Sequence, residues 1–334
     1  MQRNRWLCIA VAVSFCMLLF AGCTNGKKEN QAAYRQIGIN AMESGDYTTA
    51  IESFNSALGE CVGRITPDEL DICYYKAAAQ FAGGDTEGAK ATYTAIIDYD
   101  SKASDAYYLR GCLCLKQGDT EGAATDFADA VKYDPDDKEL YIHIYENLSG
   151  NGMSDPGEEY LNQALKLKGN TAKDCESRGR IYYYLGQYDK AETELKSALE
   201  KQSILANLYL AQVYEATGNT EDAQTYYEAY VNSGEADSTA MNALGEIEMA
   251  KGNYSGALTY LEQGIAMENV SNRRALMQNL IICYEYTGDF TGAFNMACEY
   301  VQSYPDDASV QREYIFLKNR MAQQESTEIP AEEE

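Results

Sequence analysis

Apolar positions between Ser104 and Asp137 fall into two stripes. Tyr107, Leu109, the Arg110–Gly111 pair and Cys114 are spaced for one helix face, and Ala123, Phe127, Ala130 and Val131 recur at i, i+4, i+7 and i+8. Gly118–Asp119 interrupts them, so the stretch predicts helix, turn, helix. Asp119 is placed to cap the second helix by accepting from its free backbone N–H groups, and Pro135 cannot continue that helix. A glycine inside a helix costs about 1 kcal/mol relative to alanine. Gly111 opposite Ala123 would offset this by letting the two axes approach to about 8 Å, with Phe127 filling the space beyond. One such pair leaves an apolar flank open, and a further copy of the same unit would cover it.

Further copies are present. Ala50, Ala89, Ala123, Gly157, Ala191, Ala223, Ala257 and Ala293 take the small position of the second helix, at spacings of 39, 34, 34, 34, 32, 34 and 36. The turns before them read Gly45–Asp46, Gly84–Asp85, Gly118–Asp119, Ser154–Asp155, Gly186–Gln187, Gly218–Asn219, Gly252–Asn253 and Gly288–Asp289. The larger side chain four residues on is Phe54, Tyr93, Phe127, Leu161, Leu195, Tyr227, Leu261 or Ala297. The fourth unit has a weak turn, Asn151–Gly152–Met153–Ser154, and Asp155–Pro156 still reads as a cap followed by a first-turn proline. The spacing of 39 places five extra residues between Gly59 and Asp68. There Thr66–Pro67–Asp68–Glu69 forms a capping box with proline at the first helical position, so the insertion reads as a connector or a local lid ahead of a longer helix.

These units resemble tetratricopeptide repeats, whose period of 34 and Gly, Tyr, Ala, Phe, Pro skeleton they match through Gly111, Ala123, Phe127 and Pro135. The eighth unit matches through Ala293 and Pro305 but has Ile281 where the family prefers Gly. The resemblance implies an all-α, right-handed superhelical solenoid of about eight helix-turn-helix repeats over residues 32–305, closed by a C-terminal capping helix over 306–324.

The ends differ in kind from the array. Arg3 and Arg5 lead an uncharged run from Leu7 to Gly22, 16 residues long, against the roughly 20 that cross a bilayer core. That is the form of a signal peptide over residues 1–22. Phe20–Ala21–Gly22–Cys23 resembles the cleavage box of bacterial lipoproteins, apart from Phe20 where leucine is usual. The resemblance implies that Cys23 becomes the diacylated first residue of a protein anchored on the extracytoplasmic side of a cell membrane. Cleavage without lipidation and a retained signal anchor are the alternatives. Residues 23–31 then read as a polar tether, and 325–334, with Pro330 and a glutamate run, as a disordered acidic tail.

Charge narrows the partners. The chain carries 52 acidic against 27 basic side chains, a net −25, and loses Arg3 and Arg5 with the signal. No basic stripe exists to neutralise a phosphate backbone, so nucleic acid is excluded, and membrane contact is expected through the anchor alone. Beyond Cys8, Cys16 and Cys23 seven cysteines remain, an odd number on mostly apolar positions that reads as buried free thiols. Cys112 and Cys114 point to different sides of one helix, and Cys61–Cys73 around the insertion is the one bridge to consider.

Catalytic chemistry finds little to work with. His143 is the only histidine, no glycine-rich phosphate loop follows a strand, and no cofactor or metal site is expected. By the family resemblance the first helices line a concave face, implying groove positions at Tyr74, Tyr108, Ile142, Glu146, Glu176, Arg180, Tyr183, Leu208, Gln212, Glu215, Asn242, Glu246, Gln278 and Glu285. Tyr214 and Tyr284 fill the core instead. Tyrosines offer contact area at low entropy cost and carboxylates select Lys or Arg, so the expected partner is a basic or neutral protein or peptide held by a non-enzymatic scaffold. The rival is a helical-array enzyme or solute-binding lipoprotein acting on glycans or peptides, which would need two carboxylates about 5–10 Å apart in a pocket.

Overall fold

The computed structural model describes residues 26–61, 63–268 and 270–328, and its regular structure there is entirely helical. The helices come in pairs. They are α1 (residues 26–43) with α2 (Tyr47–Gly59), α3 (Pro67–Ala82) with α4 (Thr86–Tyr99), α5 (Ser104–Lys116) with α6 (Thr120–Tyr133), and α7 (Lys138–Gly150) with α8 (Ser154–Ala164). Next come α9 (Ala172–Tyr184) with α10 (Tyr188–Glu200), α11 (Leu205–Ala216) with α12 (Thr220–Asn232), α13 (Ser238–Ala250) with α14 (Tyr254–Ile265), and α15 (Arg273–Thr287) with α16 (Phe290–Ser303). A last helix, α17 (Ala308–Glu328), packs on α16. The eight pairs divide between two compact units that meet at Ala164–Leu165, four pairs in each, with α17 in the second.

One turn design serves all eight pairs. In the third, the Gly118 N–H donates to Leu115 O at 3.0 Å and the Asp119 N–H to Cys114 O at 2.9 Å, which satisfies the carbonyl end of α5. Asp119 then accepts from the Gly122 N–H at 2.9 Å and opens α6. Gly118 can end one helix and hand over to the next in two residues because it sits at φ +80°. The equivalent glycine of every pair is left-handed, including Gly152 at φ +76°. The fourth turn thus lies within Asn151–Gly152–Met153–Ser154, as expected, but Asp155 is not its cap, because Ser154–Asp155 already belongs to α8. The fourth turn has Met153 and the fifth Gln187 where the other six have Asp or Asn, and α10 after the fifth lacks a side-chain cap.

Packing across each pair depends on a residue in the first helix and another sixteen positions later. A Cβ on Gly111 would lie 2.8 Å from Phe127 Cε1, so the glycine makes room for the phenyl ring and not, as expected, for Ala123. Gly38 stands in the same relation to Phe54, Gly179 to Leu195 and Gly245 to Leu261. The eighth pair inverts the sizes, with Ile281 in α15 (3% exposed) and Ala297 in α16 (0%). The fourth does it differently: the small residue Gly157 accommodates Tyr145, whose Cδ2 would lie 3.0 Å from a Cβ there. Interiors fill to crystal-like density, so one large and one small side chain suffice, in either order.

Partly buried ion pairs follow the same register. Arg110 grips Asp126 through Nε at 2.9 Å and Nη2 at 2.7 Å, with Nη1 on Thr94, and Arg178 reaches Glu194 at 2.7 Å. The insertion ends in the expected capping box, in which the Thr66 N–H and hydroxyl both donate to Glu69 Oε2. Gln31 Nε2 adds a 3.0 Å bond to Glu69 Oε1. That bond explains one departure: residues 26–31, expected as part of the tether, belong to α1. At the other end α17 runs to Glu328, past the expected start of the tail at 325. The seven cysteines from Cys61 onward are free thiols, and Cys61 and Cys73 are not bridged.

Candidate binding face

In residues 165–328, consecutive first helices meet along one side. Arg180 of α9 lies over the Tyr209 ring of α11, 5.0 Å from its centroid, and Tyr183 meets that ring edge-on at 6.4 Å. Between α13 and α15, Asn279 Nδ2 donates to Asn242 Oδ1 and to Glu246 Oε1, each at 3.0 Å, and Asn242 Nδ2 donates to Glu246 at 2.8 Å. In residues 26–164, Asn147 of α7 donates to the Tyr108 hydroxyl of α5 at 2.9 Å. Burial pushes the Tyr108 phenol up, and burial with nearby Asp105 pushes Tyr74 up to about 12. These polar groups first serve to hold one repeat against the next.

The groove positions therefore divide. Ile142 (0% exposed) and Leu208 (6%) are core, and Arg180 (6%) and Asn242 (9%) are buried in the seams between first helices. Glu176 accepts from the Ser203 hydroxyl, and Gln278 Nε2 donates to the Tyr300 hydroxyl at 2.9 Å. Tyr74, Tyr108, Glu146, Tyr183, Gln212 and Glu285 are half-buried. Only Glu215 and Glu246 are exposed, and the Glu215 carboxylate accepts from the Tyr227 hydroxyl at 2.7 Å. A first helix clasped by neighbours on both sides leaves a narrow free strip, so four positions spread over one helix cannot all face a ligand. Tyr214 and Tyr284 are half-buried, with hydroxyls on Glu192 and Glu262 at 2.8 Å each. Cys23 lies outside the described residues.

The first unit instead opens a cavity of about 490 Å³ among α3, α5 and α7, lined by Phe81, Leu109, Cys112, Lys116, Asn147 and Asn151 among others. Lys116 Nζ lies 4.5 Å from the Phe81 ring centroid. None of these was among the residues expected from sequence. A usable signal existed, since Cys112 and Lys116 continue the Tyr108 face at i+4 and i+8. Among the described residues no group of three or more His, Cys, Asp or Glu side chains is placed to hold a metal ion, and no helix is long and apolar enough to cross a membrane.

Glu285 is covered by α17. Its burial, followed by a hydrogen bond and repulsion from Glu313, raises its carboxyl from the usual 4.5 to about 7. A raised carboxyl pKa contributes stability that is fully present below the unfolded value near 4.5 and is lost as pH rises through about 7. Amide exchange in α17 is accordingly expected to speed up, beyond the intrinsic base-catalysed rise, between about pH 4.5 and pH 7 and to show no further excess above that. Glu285→Gln should flatten that excess; an excess equal in wild type and variant would contradict the assignment.

The tetratricopeptide repeat family matches residues 74–138, 177–240 and 208–272. BBSome complex member BBS4 of Bos taurus is 25% identical over 152 residues, 44% of this chain and 29% of that protein, so the chain spans under a third of its relative's length. Among solved structures, a tetratricopeptide repeat protein from Parabacteroides merdae superposes with a TM-score of 0.54 at 16% identity, over 76% of this chain and 99% of its own. The human IFIT1 dimer with PPP-AAAA gives 0.56 at 14% identity, over 92% and 78%. Those likenesses are of fold. Eight helix pairs with one turn design, matched by the family in both units, make this chain a tetratricopeptide-repeat protein.

Proposed function

We propose that this chain is a lipoprotein of the extracytoplasmic membrane face, tethered through Cys23, and that it works as a non-catalytic scaffold holding a basic or neutral protein or peptide against its first helices. Tetratricopeptide repeats generally mediate protein–protein interactions, and one observation carries the reading here. The cavity among α3, α5 and α7 combines apolar walls from Phe81 and Leu109 with amide ends from Asn147 and Asn151. Apolar area supplies binding energy, and the amide oxygens, whose NH2 groups already donate within α5 and α7, can accept from an extended backbone. In the second unit the exposed Glu215 and Glu246 carboxylates add a preference for cationic side chains.

The test is recovery of a partner from solubilised envelope with tagged wild type, with Asn151→Trp, which blocks the cavity from an exposed position, and with Glu215→Lys/Glu246→Lys. Wild type should retain a specific partner and each variant should retain at most about a tenth as much, equivalent to 1.4 kcal/mol. Cys23→Ser should move the protein out of the membrane fraction. Equal recovery by all three proteins would remove the face as a binding site, and unchanged membrane association of Cys23→Ser would remove the anchor.

A further inference from the structure

A second cavity, of about 550 Å³, lies in the first unit between the insertion, α3 and α4. Its size is that of a small-molecule site. Leu58, Ile65, Leu70, Ile96 and Tyr99 supply apolar walls. Ile65 (39% exposed) and Tyr99 (49%) remain partly open to water. The wall is built rather than incidental: the Tyr99 hydroxyl donates to Ile65 O at 3.2 Å, and the capping box fixes the chain on the other side of Ile65.

Two charged side chains line this space, Glu69 and Lys76, both on α3. They are seven residues apart, about 10 Å along the helix. The Glu69 carboxylate is already engaged by Thr66 and Gln31 and is 7% exposed, so a further donor would gain little there. Burial opposes its charge, yet those hydrogen bonds hold its pKa at about 2. Lys76 is half-buried and has no carboxylate partner among the described residues, in a chain where acidic side chains outnumber basic ones 52 to 27. A cation left without a partner beside apolar walls favours an anion with an apolar body.

We propose that this cavity binds a medium-chain fatty carboxylate, with its aliphatic chain against Ile65, Leu70, Ile96 and Tyr99 and its carboxylate on Lys76. The assignment is independent of the first-helix face. Cys61 and Cys73 also line the cavity and are free, so an occupant should shield them.

The experiment uses the full chain carrying Cys23→Ser in detergent-free buffer, titrated calorimetrically with decanoate, decanol and decylamine. Decanoate should bind saturably, about tenfold tighter than decanol, with decylamine weakest, and should slow iodoacetamide labelling of Cys61 and Cys73 but not of Cys298. Ala95→Trp fills the cavity from an exposed position on α4. It should abolish binding, with an unchanged melting curve reporting an intact fold. Lys76→Gln should erase the advantage of decanoate over decanol. Undiminished binding by Ala95→Trp would overturn the site. Tighter binding of decylamine than decanoate, or a preserved decanoate advantage in Lys76→Gln, would overturn the assignment of its ligand.

Discussion

Phe127→Ala is expected to destabilise the first unit by about 3–5 kcal/mol, the cost of emptying a fully buried aromatic site. Phe127 is 0% exposed and its ring closes on the α-carbon of Gly111. Gly111→Ile alone should also be destabilising, because the new Cβ arrives 2.8 Å from the ring and a packed core resists overfilling. Combined, the two changes recreate the arrangement of the eighth pair, where Ile281 faces Ala297. The double variant should therefore recover at least about 1–2 kcal/mol relative to the sum of the single changes, a coupling of the size seen between touching residues. Urea melts of the four proteins form the cycle, and strict additivity would refute the claim that volume is shared across the pair.

Arg110→Met should cost a comparable amount, about 3–5 kcal/mol, because it strands a carboxylate that the fold has taken out of water. Asp126 is 4% exposed, and the guanidinium fork is its partner at both oxygens. Arg110→Met/Asp126→Leu removes both charges and is expected to return most of that loss, since a buried pair replaced by apolar groups of similar volume is close to neutral. Hydrogen exchange of α5 and α6 distinguishes the two variants. If the double variant is as unstable as the single one, the bidentate geometry contributes more than charge compensation.

Much of the fold was legible because it repeats. Small residues at a period near 34, glycines at the turns and Asp or Asn after them each mark a local backbone requirement. In the fourth unit the cap was misplaced because Asp155–Pro156 looks like one, whereas the left-handed backbone at Gly152 lets α8 begin already at Ser154. The start of α1 was not legible: residues 26–31 are polar, and Gln31 is ordered by Glu69 from a helix 38 positions away. The binding face was read only in part. Family positions located the first helices, but which side chains are consumed at the seams depends on neighbours such as Tyr209 and Asn279, and no single repeat contains that information.

The inverted sizes in the eighth pair bear on how such a chain can be rearranged. A crossover at a turn could join an isoleucine-bearing front half to a phenylalanine-bearing back half and force two bulky groups into one space, or join Gly111 to Ala297 and leave a hole. Breaks between pairs keep each matched set whole. Rearrangements of this chain that keep its packing are thus confined to the linkers after α2, α4 and their counterparts, and artificial chimaeras should be cut at the same places.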